Sequence, residues 1–145
     1  MENRLLEQIK SLLHEELSLV TNLSNASAVF NQLENINWCG FYLVKDGSLY
    51  LGPFQGEPAC TYIPFGKGVC GTSAKEKRSI IVDDVNQFAG HIACSSLSKS
   101  EIVVPIIKDN EVVAVIDIDS PIYNRFTKED EKTLQEIATF ISKLF

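Results

Sequence analysis

Two runs near the C-terminus, Ile102-Val103-Val104-Pro105-Ile106-Ile107 and Val112-Val113-Ala114-Val115-Ile116-Asp117-Ile118, are apolar at both alternating sets of positions. A strand sends successive side chains to opposite faces, so strands of this kind must be covered on both sides. A sheet with one wet face is therefore excluded, and helices are needed above and below. The two ends of the chain can supply them. Leu5, Ile9, Leu12 and Leu13 recur at spacings of three and four, and Ala26, Phe30 and Leu33 predict a second helix from Ser24 to about Leu33. A last helix follows Thr127, with Asp130 placed to complete its cap and Leu134, Ile137, Ala138 and Ile141 as its apolar stripe.

The middle of the chain reads as strands and loops. Asn37–Val44 and Leu49–Leu51 flank an Asp46-Gly47 hairpin signal, and Cys60–Pro64 and Ser79–Val82 are shorter strand candidates. Phe65–Thr72 is a glycine-rich loop before a helical Ser73–Lys77, while Asp83–Ser100 lacks periodicity, as functional loops often do. The expectation is an α+β domain with about six antiparallel strands and helices on both faces. No linker or repeat divides the 145 residues. One domain is expected, with N-terminal helices over about 1–34, sheet and active-site loops over about 37–119 and a C-terminal helix over about 127–144.

Thirteen Lys and Arg against nineteen Asp and Glu leave a net charge of −6, which disfavours nucleic acid and anionic membrane as partners. With no apolar h-region at Met1–Glu7 and no long apolar span, a cytoplasmic protein is expected. Its four cysteines, Cys39, Cys60, Cys70 and Cys94, form no C-x-x-C pair, and only His14 and His91 could join them, so no metal set is assigned. Two uses remain open for them: buried apolar packing or redox chemistry.

Alternation puts Asp117 and Asp119 on one face together with Val113 and Val115, about 7 Å apart along the strand. They either end the strand and begin the turn at Ser120-Pro121, or form a pair whose mutual repulsion raises one pKa. Glu101 joins them only in one hairpin register. A two-residue loop at Asp109-Asn110 would place Glu101 opposite Ile118, on the wrong face. A three-residue loop, Asp109-Asn110-Glu111, would place it opposite Asp119, with Val103 opposite Asp117. That second register is the one expected here, because Asn110 tolerates the left-handed backbone the loop needs.

On another strand Trp38, Gly40 and Tyr42 share a face, and Gly40 leaves room for a ligand beside two aromatics that could otherwise be plain core. Cys39 takes the opposite parity and reads as an inert core thiol. Cys60, Cys70 and Cys94 sit in less regular surroundings. His91, three residues before Cys94, could serve as its base or be purely structural.

The ordered set Asn37-Trp38-x-Gly40-Phe41-Tyr42, Phe54-Gln55-Gly56-x-x-Ala59-Cys60, Phe65–Thr72, Gly90-His91-Ile92-Ala93-Cys94, Ser100–Pro105 and Val115–Ser120 closely resembles the free methionine-R-sulfoxide reductases, small enzymes built on a single GAF domain. The resemblance implies that Cys94 is the nucleophile, that Cys60 and Cys70 resolve the oxidised enzyme, and that Glu101, Asp117 and Asp119 bind substrate. It also implies that Trp38 lines the pocket for the S-methyl group, with Tyr42 beside it. A thiolate attacking the sulfoxide sulfur needs an acid to protonate the departing oxygen, and crowded carboxylates keep one neutral. The resulting sulfenic acid would condense to a disulfide, with an external dithiol, thioredoxin, as reductant and no bound cofactor. The amphipathic N-terminal helix offers a face for a homodimer. A GAF module that senses a small molecule without catalysis is the competing expectation, and it has no use for three cysteines and three acids.

Overall fold

In the computed structural model, which describes residues 4–90 and 97–145, the chain begins with α1 (Arg4–Leu12) and α2 (Leu19–Phe30). Strands β1 (Trp38–Lys45), β2 (Ser48–Gln55) and β3 (Tyr62–Pro64) precede α3 (Gly68–Glu76) and β4 (Ile80–Val82). A 3-10 turn at Val85–Gln87 leads towards β5 (Ser100–Lys108), β6 (Glu111–Ser120) and α4 (Lys128–Ser142). Among the described residues no helix is long and apolar enough to cross a membrane.

The six strands form one sheet in the order β3-β2-β1-β6-β5-β4, with every neighbouring pair antiparallel. The two strands apolar on both faces lie inside it, and β6 occupies the centre. One face meets α1, α2 and α4 in a core that includes Ile9, Phe30 and Leu134 against Phe41, Ile116 and Ile118. Across the sheet, Val69, Cys70 and Ala74 of α3 pack with Trp38, Tyr42, Val103 and Val115. The expected double covering is present. Thr127 caps α4 by accepting from Asp130 N at 3.1 Å, while Thr127 N donates to Asp130 Oδ2 at 2.9 Å, completing the capping box.

Two helices depart from the expectation. α2 starts at Leu19 rather than Ser24, because the Ser18 side chain accepts from Thr21 N at 3.3 Å and nucleates the turn ahead of the apolar stripe. It ends at Phe30 rather than near Leu33. The glycine-rich segment expected as a loop to Thr72 is already helical from Gly68. Gly71 lies within that helix since a Cβ there would come 2.4 Å from Pro64 O, so the glycine lets α3 press on the end of β3.

The β5–β6 hairpin reaches the expected register by a different route. Its turn has two residues, Asp109 (φ 53) and Asn110 (φ 66), both left-handed and flanked by the Lys108–Glu111 pair. The expected three-residue loop is not formed. Instead the register shifts between Ile106 and Ile107, where Ile107 faces Val112 and Ile106 faces Ala114, leaving Val113 as the extra residue of a bulge. Beyond the bulge Glu101 faces Asp119 and Val103 faces Asp117. Parity breaks at the same place, so Val113 packs towards the helical core instead of sharing a face with Val115 as expected.

Deleting Val113 should therefore yield a regular hairpin with the Glu101–Asp119 pairing unchanged, at a cost of about 1–2 kcal/mol from one lost valine contact. Urea denaturation and a cross-strand NOE between residues 101 and 119 check this; loss of the pairing would contradict the bulge assignment.

Candidate active site

Three strands contribute to one row of side chains. β1 pairs with β6 so that Trp38 faces Asp119 and Gly40 faces Asp117, while β5 brings Glu101 to the other side of Asp119. Trp38, Asp119 and Glu101 thus lie abreast across three strands, on the face covered by α3. Glu101 and Asp117 are buried, at 7% and 5% exposure, and Asp119 is half-buried. From α3, Cys70 approaches the same place, so that Cys70 Sγ and one oxygen each of Glu101 and Asp117 all lie within 4.8 Å of one another.

Three acids in so small a dry space cannot all be ionised. Burial pushes the Glu101 carboxyl well above the usual carboxylate range, and the negative charges of Asp117 and Asp119 push it further. Asp119 is also raised, by burial and then by Asp117, but hydrogen bonds from Glu101 and Ser98 favour its anion. Glu101 and Asp119 are thus both pushed above the usual carboxylate range, and the cluster titrates as a coupled unit that retains a proton. Cys70 is held as a thiol, chiefly by burial and then by the charges of Asp117 and Glu101.

The aromatic side of the site is assembled differently from expectation. Trp38 and Tyr42 share the predicted face, with ring centroids 6.0 Å apart, yet the space beside Gly40 is filled by Phe54. A Cβ on Gly40 would lie 2.4 Å from Phe54 Cβ. The glycine admits a protein side chain rather than a ligand, and the Phe54 ring stacks on Trp38 at 5.2 Å. Phe54 has no strand periodicity to mark it, since the β1–β2 register shifts between Gly40 and Tyr42. The polar tips of the aromatics fasten the following loop: Trp38 Nε1 donates to Glu57 O at 3.1 Å and Tyr42 OH donates to Cys60 O at 2.9 Å.

The cysteines divide by environment. Cys39 lies on the helical-core face as expected, its Sγ donating to Ser27 O at 3.4 Å, and burial followed by the charges of Asp117 and Asp119 pushes it up to about 12. It is an unreactive thiol. Cys70, expected in an accessible loop, is instead buried in the first turn of α3 as a free thiol. Cys60 is half-buried and disulfide-bonded. His91 and Cys94 lie outside the described residues.

Comparison with known proteins agrees with this geometry. The GAF domain family matches residues 6–144. A free methionine-R-sulfoxide reductase of Escherichia coli K12 is 45% identical over 135 residues, covering 92% of this chain and 82% of that protein. The reduced form of the Staphylococcus aureus enzyme superposes with a TM-score of 0.92 at 52% identity, covering 97% of this chain and 92% of the other. The free methionine-R-sulfoxide reductase of Neisseria meningitidis, solved with its substrate, gives a TM-score of 0.94 at 44% identity, covering 97% and 86%. Near-full coverage at such identity extends well beyond a shared scaffold, and the chain belongs to the free methionine-R-sulfoxide reductases of the GAF-domain family, which are oxidoreductases.

Proposed function

We propose that this chain reduces free L-methionine-(R)-sulfoxide to L-methionine through Cys94, with the Glu101–Asp117–Asp119 cluster as the acid and substrate anchor. The observation that carries this reading is the cluster itself: three carboxylates gathered on a covered sheet face beside a stacked aromatic wall. A sensor pocket has no need of an acid that holds its proton above the usual carboxylate range. A sulfoxide reductase does, because the oxygen must leave as a hydroxyl.

In the first step the Cys94 thiolate attacks the sulfoxide sulfur while Glu101, whose carboxyl is held well above the usual range by burial and the charges of Asp117 and Asp119, supplies a proton to the sulfoxide oxygen. Oxygen passes to Cys94, giving a sulfenic acid and free methionine. The ionised carboxylates hold the substrate's ammonium group, which a peptide-bound methionine lacks. Trp38 packs against the S-methyl group, and Tyr42 both borders that wall and holds the Cys60 segment in place. Cys60 then condenses with the sulfenic acid, releasing water and forming a disulfide. That Cys70 is a buried thiol, held protonated by burial and by the charges of Asp117 and Glu101, supplies support for Cys60 as the first resolving partner. An external dithiol, thioredoxin, restores both thiols by exchange and leaves oxidised.

Epimer-resolved turnover with a dithiol reductant tests the proposal. Cys94→Ser should lose at least about a thousandfold in kcat, in keeping with removal of a nucleophile, whereas Cys39→Ala keeps activity within a few-fold. Turnover of the S epimer in preference to R, or an active Cys94→Ser variant, would overturn it.

The acid cluster also makes a stability prediction. Between the ordinary carboxylate range and its raised native value, native Glu101 holds a proton that the unfolded chain releases, so its contribution to stability falls as pH rises through that window. Glu101→Gln removes this penalty. It should be more stable than the parent at neutral pH by about 0.5–2 kcal/mol, show a flatter stability profile above the ordinary carboxylate range, and lose turnover. Denaturant melts across the pH range, paired with the turnover assay, read both effects.

A further inference from the structure

Phe54 has no part in the reaction as outlined, yet the sheet is built to receive it. The β1–β2 pairing sets it opposite Gly40, and the missing side chain there is what lets it in: a Cβ on Gly40 would lie 2.4 Å from Phe54 Cβ and 2.7 Å from Phe54 Cα. So admitted, the ring lies nearly parallel to the indole of Trp38, with 16° between planes and centroids 5.2 Å apart, closer and flatter than the Tyr42 ring at 24° and 6.0 Å. The remaining holds on the indole act at its pyrrole edge. Nε1 donates to Glu57 O at 3.1 Å, and a Cβ on Gly56 would come 2.6 Å from Trp38 Cδ1. Both belong to the chain that follows β2, and a bond at one edge leaves the ring free to tilt about it, because χ2 of tryptophan is a broad torsion. Phe54 removes that freedom, and does so from a strand paired directly with the one that carries Trp38.

From this arrangement we infer that Phe54 is a positioning residue for Trp38, and that by fixing the plane of the indole it sets how large an S-alkyl group the site admits. The inference rests on the reading of Trp38 as the wall against the S-methyl group. Phe54 need touch no substrate atom for this. An apolar wall discriminates by size only where it does not yield, and an indole backed by a second ring on a paired strand is such a wall. The substrate class that follows is narrow: free amino acid sulfoxides whose sulfur carries a methyl group. Longer S-alkyl homologues are refused by shape rather than by charge, since their ammonium end is the same. Gly40 belongs to the same device, as the gap that seats Phe54.

Turnover of free methionine-R-sulfoxide and free ethionine-R-sulfoxide, which differ by one methylene at the sulfur, tests this in the parent, Phe54→Ala, Phe54→Tyr and Trp38→Ala. The parent should favour the methyl substrate by at least roughly tenfold in kcat/KM, the least that one methylene is worth in a fitted apolar pocket. Phe54→Ala should bring that ratio to within about threefold of unity, through a raised KM for the methyl substrate with kcat kept within a few-fold. Phe54→Tyr keeps the ring face and should keep the parent ratio. A variant that folds only in part lowers both constants together and leaves their ratio alone, so a merely structural role does not mimic the result. Trp38 is the only tryptophan in the chain, and its fluorescence reads the indole without turnover: Phe54→Ala should increase acrylamide quenching while far-UV circular dichroism stays that of the parent. A parent without the methyl preference, a parent-like ratio or parent-like quenching in Phe54→Ala, or a Phe54→Tyr variant that loses the ratio as Phe54→Ala does, overturns the inference while the site reading stands. A parent-like ratio with undiminished kcat/KM in Trp38→Ala overturns the reading of Trp38 as the wall and the inference with it.

Discussion

The pairing of β6 with strands on both sides is the constraint on which the site depends. β6 carries two of the three acids of the site; its bond to β1 sets Trp38 beside Asp119 and Gly40 beside Asp117, and its bond to β5 adds Glu101. Because side chains alternate along each strand, a slip of one residue on either side would turn a whole contributing row to the wrong face. The bulge at Val113 absorbs the mismatch between a tight two-residue turn and the register that the acids require. It lies at the far end of the hairpin from the acids, so the turn can satisfy its own left-handed geometry without dictating what happens at the site.

Collecting acids on a buried face opposes folding, and the rest of the molecule must outweigh it. Burial is the leading influence on both Glu101 and Asp119, followed by neighbouring negative charge. The helical face supplies the compensation, with Ile9, Phe30, Ile102, Ile116 and Leu134 fully buried in one core. The division of labour between faces follows: one side of the sheet carries the larger apolar core and holds the domain together, while the other mixes apolar contacts with Cys70, the acids and the Trp38 and Tyr42 rings. The buried carboxyls Glu101 and Asp117 lie on the side where chemistry is proposed, as is common where function competes with stability.

Much of this was legible in the residues, and the exceptions share a cause. The hairpin at Asp46-Gly47, the Thr127 capping box, the doubly apolar strands and the Trp38/Tyr42 face are local or strictly periodic features, and each is formed as expected. The onset of α2 was obscured because a polar cap, not the apolar stripe, begins it. Gly40 was misread as space for a ligand because the residue that fills it, Phe54, arrives from β2 through a register shift. Cys70 was placed in a loop because glycines around it suggested one, whereas Gly71 permits close packing of a helix.

By itself the sequence determined that the chain must form a doubly covered sheet, which residues face together on each strand, and, through its ordered motifs, the family to which it belongs. Periodicity and turn chemistry are properties of neighbouring residues and can be read one segment at a time. The tertiary structure decided what lies across from what: that a bulge rather than a longer loop brings Glu101 to Asp119, that Phe54 backs Trp38, that Cys70 joins the acids and Cys39 does not, and that Asn37 reaches Ser98. These depend on register and on packing between segments far apart in the chain, and their energies exist only once the sheet has closed. The raised titration of Glu101 and Asp119 belongs to the same class, for it comes from burial and proximity rather than from residue type.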